Sequence, residues 1–353
     1  MKTMNATMTG TMTTTPVSRR QLLKGGLGAA LGIGLAAGLS LPGLGEAKVS
    51  AAIPTLSSPM IVVGPAPKLV PIDPTPAPVI VVGPSPKLIP VAVPFTAYHG
   101  VTGAEHQSRF NALGTTGYRM ISLSISGLHS DPRYAAVWVQ RAGAAQRAVH
   151  GVTAAQYQQW FDAGVAEGFV PTIVSATGTV DNPRFAAVAE NNVSGPWVAR
   201  HNIDFGQYVN QNLAAREETG LYLHSVAIYG SSLDRRYAGV WRQNTQGFEW
   251  SASMYLETPQ EYQRDFDFFT QEGWQPRYVG VSSSQAFAPV YHRGDTVEAV
   301  TAHHGLTADA YQQVFDQHTV NGLIPAVVQG GGIGNATRYA AIFVTQAAIG
   351  LYC

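Results

Sequence analysis

Four histidines, His99, His150, His201 and His304, each stand three residues before a Thr or Asp that opens a helix. Imidazoles repeated at one structural position could converge on a metal ion. The same spacing also suits a local role, in which each imidazole ends a strand and hydrogen-bonds the turn into its own helix. No Asp or Glu recurs at a fixed distance from them, and a site copied identically into every repeat is unusual for catalysis, so the local role is the expectation. His303 and His304 are adjacent, and neighbouring residues of a strand point to opposite faces, so this dipeptide is not a two-ligand site.

Arg133, Arg184, Arg236 and Arg338 each precede an aromatic residue at the start of a strand. Such guanidinium groups can line a groove for carboxylates or sugar hydroxyls, or stack on a neighbouring ring. Trp138 and Trp241 divide in the same way between sheet packing and a stacking surface. These six residues are the candidate binding set. Nucleophile motifs fare worse: no Gly-x-Ser-x-Gly elbow is present, and no Ser-x-x-Lys can exist after Lys87, the last lysine. Gly330–Asn335 is glycine-rich but lacks the Lys-Ser/Thr of a phosphate loop and fits a hairpin turn. The single cysteine, Cys353, excludes a CxxC pair and a multi-cysteine zinc site. No cofactor is expected. A second candidate site lies where the repeat is most altered, at Tyr255, His292 and Asp295.

The elements that must position these groups repeat. Thr102, Thr153, Asp204, Thr258 and Thr307 are helix N-caps. Tyr157, Tyr208, Tyr262 and Tyr311, with His106 in the first copy, follow four residues later, and Gly117, Gly168, Gly220, Gly273 and Gly322 end the helices. A strand follows each helix, then a turn, then a second strand starting at Tyr134, Phe185, Tyr237, Phe287 or Tyr339; these aromatics are 51, 52, 50 and 52 residues apart. A third short strand returns to the next cap. The expected fold is α+β: five tandem helix–strand–strand–strand repeats over residues 95–353, forming a curved, half-barrel-like antiparallel sheet with helices outside. A closed five-unit ring is the alternative, reached if Phe95–His99 completes the last sheet.

Residues 1–47 carry Ser18-Arg19-Arg20-Gln21-Leu22-Leu23-Lys24 before a weakly apolar Gly/Ala/Leu run, the pattern of a twin-arginine export leader. Residues 48–94 are rich in Pro and Val and duplicate an Ile-Val-Val-Gly-Pro motif at Ile61 and Ile80, which suits a semi-rigid stalk or docked edge strands. Without the leader the chain has 18 basic and 21 acidic residues, a balance that argues against nucleic acid as a partner. After processing, no membrane span is expected.

The pattern His-Gly-Val/Leu-Thr-Ala-x-x-Tyr-Gln-x-x-Phe, with Gly about fifteen residues past the cap and Arg-Tyr-Ala-Ala-Val-Trp beyond, resembles the bacterial tandem-repeat domain that also forms the N-terminal part of fungal polyglycine hydrolases. The second and fifth copies match best. In the fourth, Tyr255 replaces the histidine and Ala286-Phe287 replaces Arg-Tyr. The resemblance implies a half-barrel of strands with outer helices. The hydrolase activity of that family is associated with a separate β-lactamase-like domain, which is absent here and is not carried over. The expected function is an exported, non-catalytic binding or scaffold protein of the cell envelope or extracellular space, presenting its repeat surface to a peptide or glycan polymer; a secreted hydrolase with a site in the degenerate repeat is the alternative.

Overall fold

A computed structural model describes residues 93–352, apart from 192, 254, 296 and 298. The leader and the duplicated Pro/Val segment lie outside the described residues. The rest forms five copies of one unit. Repeat one is β1 (Phe95–Val101), α1 (Gly103–Gly114), β2 (Tyr118–Leu128) and β3 (Asp131–Gln140). Repeat two is β4 (Gln146–Val152), α2 (Ala154–Ala166), β5 (Phe169–Gly178) and β6 (Pro183–Asn191). Repeat three is β7 (Trp197–Ile203), α3 (Phe205–Ala214), β8 (Leu221–Gly230) and β9 (Arg235–Gln243). Repeat four is β10 (Glu249–Ala252), α4 (Pro259–Gln271), β11 (Gln275–Val281) and β12 (Phe287–Arg293). Repeat five is β13 (Val300–Leu306), α5 (Ala308–Val320), β14 (Leu323–Gly331) and β15 (Arg338–Thr345).

Each helix starts where a side chain can replace a missing backbone partner. Thr102, Thr153, Asp204 and Thr258 cap the N3 amide, and the Glu or Gln at N3 reaches back to the cap's own N–H, completing a capping box. Thr307 caps α5, but Ala310 stands at N3 and cannot return the bond.

The five sheets are separate, each with three antiparallel strands, and in each the last strand of the repeat lies in the middle. β1 therefore pairs with β3 of its own repeat, Phe95 opposite Val139, rather than completing the last sheet. The frame is strand–helix–strand–strand, one strand out of phase with the sequence reading. The helix carries the chain across the sheet, leaving a gap between the first two strands that the third fills by a tight hairpin.

The second strand of each repeat is an edge in its own sheet, yet it is buried along most of its length, because the five second strands face one another. Their outward N–H groups need partners, and serines supply them. Ile125 N donates to Ser175 Oγ at 3.0 Å and Val174 N to Ser225 Oγ at 3.1 Å. The fifth repeat meets the first in the same manner: Val328 N donates to Ser122 Oγ at 3.0 Å and Gly330 N to Ser124 Oγ at 2.9 Å. The Ser283 hydroxyl reaches the Gly230 carbonyl and the Gln329 amide reaches the Tyr278 hydroxyl, joining the remaining neighbours. The curved surface is thus built from five sheets without a continuous barrel, and the array closes as a ring through its inner edges. Each edge N–H satisfied by a hydroxyl in this way is withheld from pairing with another chain.

Closure makes Ser122 and Ser124 structural. Replacing both by alanine should strand two buried N–H groups and cost roughly 1–3 kcal/mol for each. Denaturant unfolding measures it, with Ser225→Ala as the internal comparison. An unchanged midpoint for the double variant would show that the fifth and first repeats do not depend on each other.

Candidate functional site

The histidines lie at the seams between repeats. His150 packs edge-on against Tyr134 and His106 of repeat one, with ring centroids 5.1 and 4.7 Å away. His201 does the same to Tyr157 and Phe185, and His304 to Tyr262 and Phe287. His99 packs on Tyr311 and Tyr339 of repeat five, at 4.7 and 5.1 Å, repeating the arrangement across the closing seam. The rings they meet are stacked pairs, such as Tyr157 on Phe185 at 4.8 Å and Tyr262 on Phe287 at 4.7 Å.

The histidines do not hold their own turns, as the local reading expects; three of them reach into the preceding repeat. His150 Nε2 meets Gln107 Oε1 at 2.9 Å, His201 meets Gln158 at 2.7 Å and His304 meets Gln263 at 3.1 Å. Each glutamine in turn donates its amide to the residue four further along its helix: Asn111, Asp162 and Asp267. That fixes the glutamine oxygen as acceptor and makes Nε2–H of each histidine the donor. Burial lowers the pKa of His99, His150 and His201, and pushes His304 down to about 4, so the rings are neutral. The residue after each of these histidines has a positive φ, +67° at Gly100 and +70° at Gly305, which favours glycine. At Gly151, with φ +67°, an added Cβ would lie 2.9 Å from the Tyr134 hydroxyl, and repeat three uses Asn202 at φ 56° instead.

The four weak metal candidates, His99, His150, His201 and His304, therefore stand at four different seams and are not brought together. No grouping of three or more potential ligands occurs among the described residues. His303 and His304 do face opposite ways. His303 Nε2 lies 2.8 Å from His318 Nε2 on the helix of the same repeat, a partly buried pair that sequence spacing did not reveal. His304→Ala should cost about 1–2 kcal/mol, the range for a hydrogen bond lost within a packed seam. It should release no metal; equimolar zinc or copper in the parent, absent from the variant, would overturn that assignment.

The candidate binding set divides. Trp138 and Trp241 are fully enclosed, and their indole N–H groups donate to Tyr98 Oη at 3.2 Å and Asn212 Oδ1 at 2.8 Å. Neither can present a stacking surface, which corrects their inclusion. Both rings lie between a sheet and the helix of the same repeat, Trp138 against Phe110 at 5.6 Å and Trp241 bonded to Asn212, where their volume fills the core and an internal acceptor satisfies the indole. The arginines stay partly exposed at the hairpins. Arg133 pairs with Asp131 at 2.9 Å and Arg236 with Asp234, while Arg184 donates to Asn182 Oδ1 and Arg338 to the carbonyls of Asn335 and Thr337.

All five hairpins gather on one face of the ring. Gly127 N donates to Gly332 O, Thr177 Oγ1 to Gly127 O at 2.7 Å, and Gln285 Nε2 to Ala336 O at 2.6 Å. Between repeats five and one this face holds a cleft of about 510 Å³, lined by Asp131, Arg133, Asp309, Asn335, Thr337 and the aliphatic Leu128 and Ile333 among others. Guanidinium, carboxylate, amide and hydroxyl groups there surround a space large enough for one segment of a polymer.

The degenerate-repeat candidates are separated. Tyr255 lies near the end of the fourth sheet where Glu257 bridges Phe287, and its hydroxyl donates to Asp265 at 3.1 Å. His292 is at the other end, opposite Trp250. Its Nδ1 lies 3.0 Å from Asp295 Oδ2, and Arg277 pairs with Asp295 Oδ1 at 3.0 Å. Burial pushes His292 down to about 4. Burial pulls Asp295 upward, but its bond to His292 and the Arg277 charge hold it below the usual carboxylate range. Arg277 and His292 border a cavity of about 30 Å³ whose lining comes from all five repeats and from Tyr352. That volume holds about one water molecule and no substrate.

The family model described as "Polyglycine hydrolase-like, structural repeat" matches residues 92–141, 143–192, 194–244 and 298–346. Those spans coincide with repeats one, two, three and five. The fourth repeat falls between them, where Tyr255 stands in the histidine's place and the hairpin arginine is missing. With the repeat period, the seams and the matched spans in register, the chain belongs to the polyglycine hydrolase-like structural repeat family.

Proposed function

We propose that this protein is an exported, non-catalytic binding or scaffold module that presents the hairpin face of its ring to a peptide or glycan polymer at the cell envelope or outside the cell. The observation that carries the reading is the recurrence of one partly exposed arginine in four of the five hairpins, at Arg133, Arg184, Arg236 and Arg338, with Arg133 lining a polar cleft of about 510 Å³ on the same face. Repetition suits a ligand that itself repeats, because several weak contacts sum on one polymer. The hydrolase alternative has less support: Tyr255 is separated from His292 and Asp295, and the cavity beside those two admits no substrate.

The test is retention of the full chain on insoluble cell-wall glycan and on immobilised peptide polymers, with Arg133→Ala and Arg338→Ala beside it. Binding weakened about tenfold by the pair supports the reading. Absence of binding to every polymer removes it. Export rests on Arg19 and Arg20 ahead of a weakly apolar run. Changing both to lysine should leave the protein in the cytoplasmic fraction on cell fractionation, and normal export of that variant would refute the route.

A further inference from the structure

The hairpin tips carry more than arginine. Leu233 is 97% exposed at the tip of the third hairpin, and Leu128 and Ile333 are each 46% exposed at the first and fifth. Val180 holds the matching place in the second and is half-buried. Each of these aliphatic residues is followed within a few positions by the hairpin arginine: Val180 by Arg184, Leu233 by Arg236, Leu128 by Arg133 and Ile333 by Arg338. In the fourth hairpin Ala286 replaces the arginine, and Val281, five residues ahead of it, is buried. That hairpin thus presents neither an exposed aliphatic side chain nor a guanidinium group. Because the ring closes, repeats five, one, two and three are consecutive, and the four pairs make one uninterrupted arc.

A single exposed aliphatic residue is ordinary on a protein surface, but exposed aliphatic groups gathered on one face mark a contact site. Leu128 and Ile333 line one cleft there. Flat aromatic faces suit the stacking of sugar rings, but the candidate tryptophans, Trp138 and Trp241, are enclosed. The arc instead offers branched aliphatic groups beside guanidinium donors. Arg184 and Arg338 donate to neutral oxygens, which leaves their charge available to an incoming anion.

Resting on the polymer-binding reading above, we propose that the arc formed by Leu128, Leu233, Ile333 and their neighbouring arginines binds an extended peptide that carries aliphatic and acidic side chains, and that glycans are not its ligand. The aliphatic side chains of the peptide meet the tips, and its carboxylates meet Arg184 and Arg338. The flanking cleft, with Asn335 and Thr337, supplies hydrogen bonds for the peptide backbone.

The experiment uses the full chain and fluorescence anisotropy with three labelled probes: a Leu/Asp-rich peptide, the same peptide with lysine for aspartate, and a cell-wall glycan oligomer. A parallel arm sediments the protein with vesicles containing anionic lipid. Tight binding of the Leu/Asp peptide alone is expected, weakened at least tenfold by Leu233→Asp and by Arg184→Ala with Arg338→Ala. Leu233 is almost wholly exposed, so its variant should fold, and an unchanged melting temperature verifies this. Binding of the glycan but not the peptide would overturn the peptide assignment and leave the polymer reading standing. Binding to vesicles alone, or affinity unaffected by the tip variant, would also overturn it. Failure of every probe and polymer would remove both readings.

Discussion

Acidification from pH 7 to pH 4 should unfold the ring, and the effect should be the largest that any mild change of conditions produces. Burial pushes His106 and His303 down to about 3, and His292, His304 and His318 down to about 4, against an ordinary value of 6.5. A lowered histidine pKa means that the folded chain keeps the ring neutral while the unfolded chain takes up a proton. Stability is therefore complete above about pH 6.5 and is lost as the pH falls toward the folded values. Each such histidine steepens the dependence by up to about 1.4 kcal/mol per pH unit. Several act together, and Coulomb repulsion between His303 and His318, whose Nε2 atoms are 2.8 Å apart, opposes charging both at once. Unfolding free energy measured by denaturant between pH 8 and pH 4 should fall steeply below about pH 6.5. His304→Gln should flatten the curve, since glutamine does not titrate. A midpoint that stays level down to pH 4.5 would show that these histidines become protonated without cost, contrary to their packing.

The second large effect is expected at Gly331. It lies in the innermost strand of repeat five, where a Cβ would press against the Ser282 carbonyl and a Val281 methyl of repeat four. Gly280 is in the same position against the Val226 carbonyl, which an added Cβ would approach to 2.8 Å. Both glycines let neighbouring inner strands come close. The obstacle at Gly331 includes backbone, which cannot rotate aside, so Gly331→Ala should cost about 2–3 kcal/mol and Gly331→Val more. Gly114→Ala is the control: nothing lies within 4 Å of its Cβ position at the end of α1, and the change should be neutral or slightly stabilising. Thermal melting separates the two. A Gly331→Ala variant as stable as its parent would mean that repeats four and five can part without loss, and that the ring is looser than its inner contacts imply.

What could be read from the chain alone was the part that is local and recurs. Thr102, Thr153, Asp204, Thr258 and Thr307 cap helices because a side-chain oxygen three residues from an amide needs no tertiary partner. The aromatic at the start of each repeat's last strand kept its spacing for the same reason: one local job was copied five times. Tertiary structure decided everything that crosses a seam. Nothing in the neighbourhood of His150 names Gln107, since the bond joins residues 43 apart and arises only after two repeats pack. Trp138 and Arg133 looked equally available as binding residues, yet the first closes a core and the second stays at a hairpin, because burial depends on what the opposite layer covers. The frame of the sheet shifted by one strand because periodicity states how often a unit recurs and not where its hydrogen bonds begin. Closure is the clearest case. Ser122 and Ser124 are ordinary strand residues until the fifth repeat arrives 206 residues later with two amides in need of acceptors.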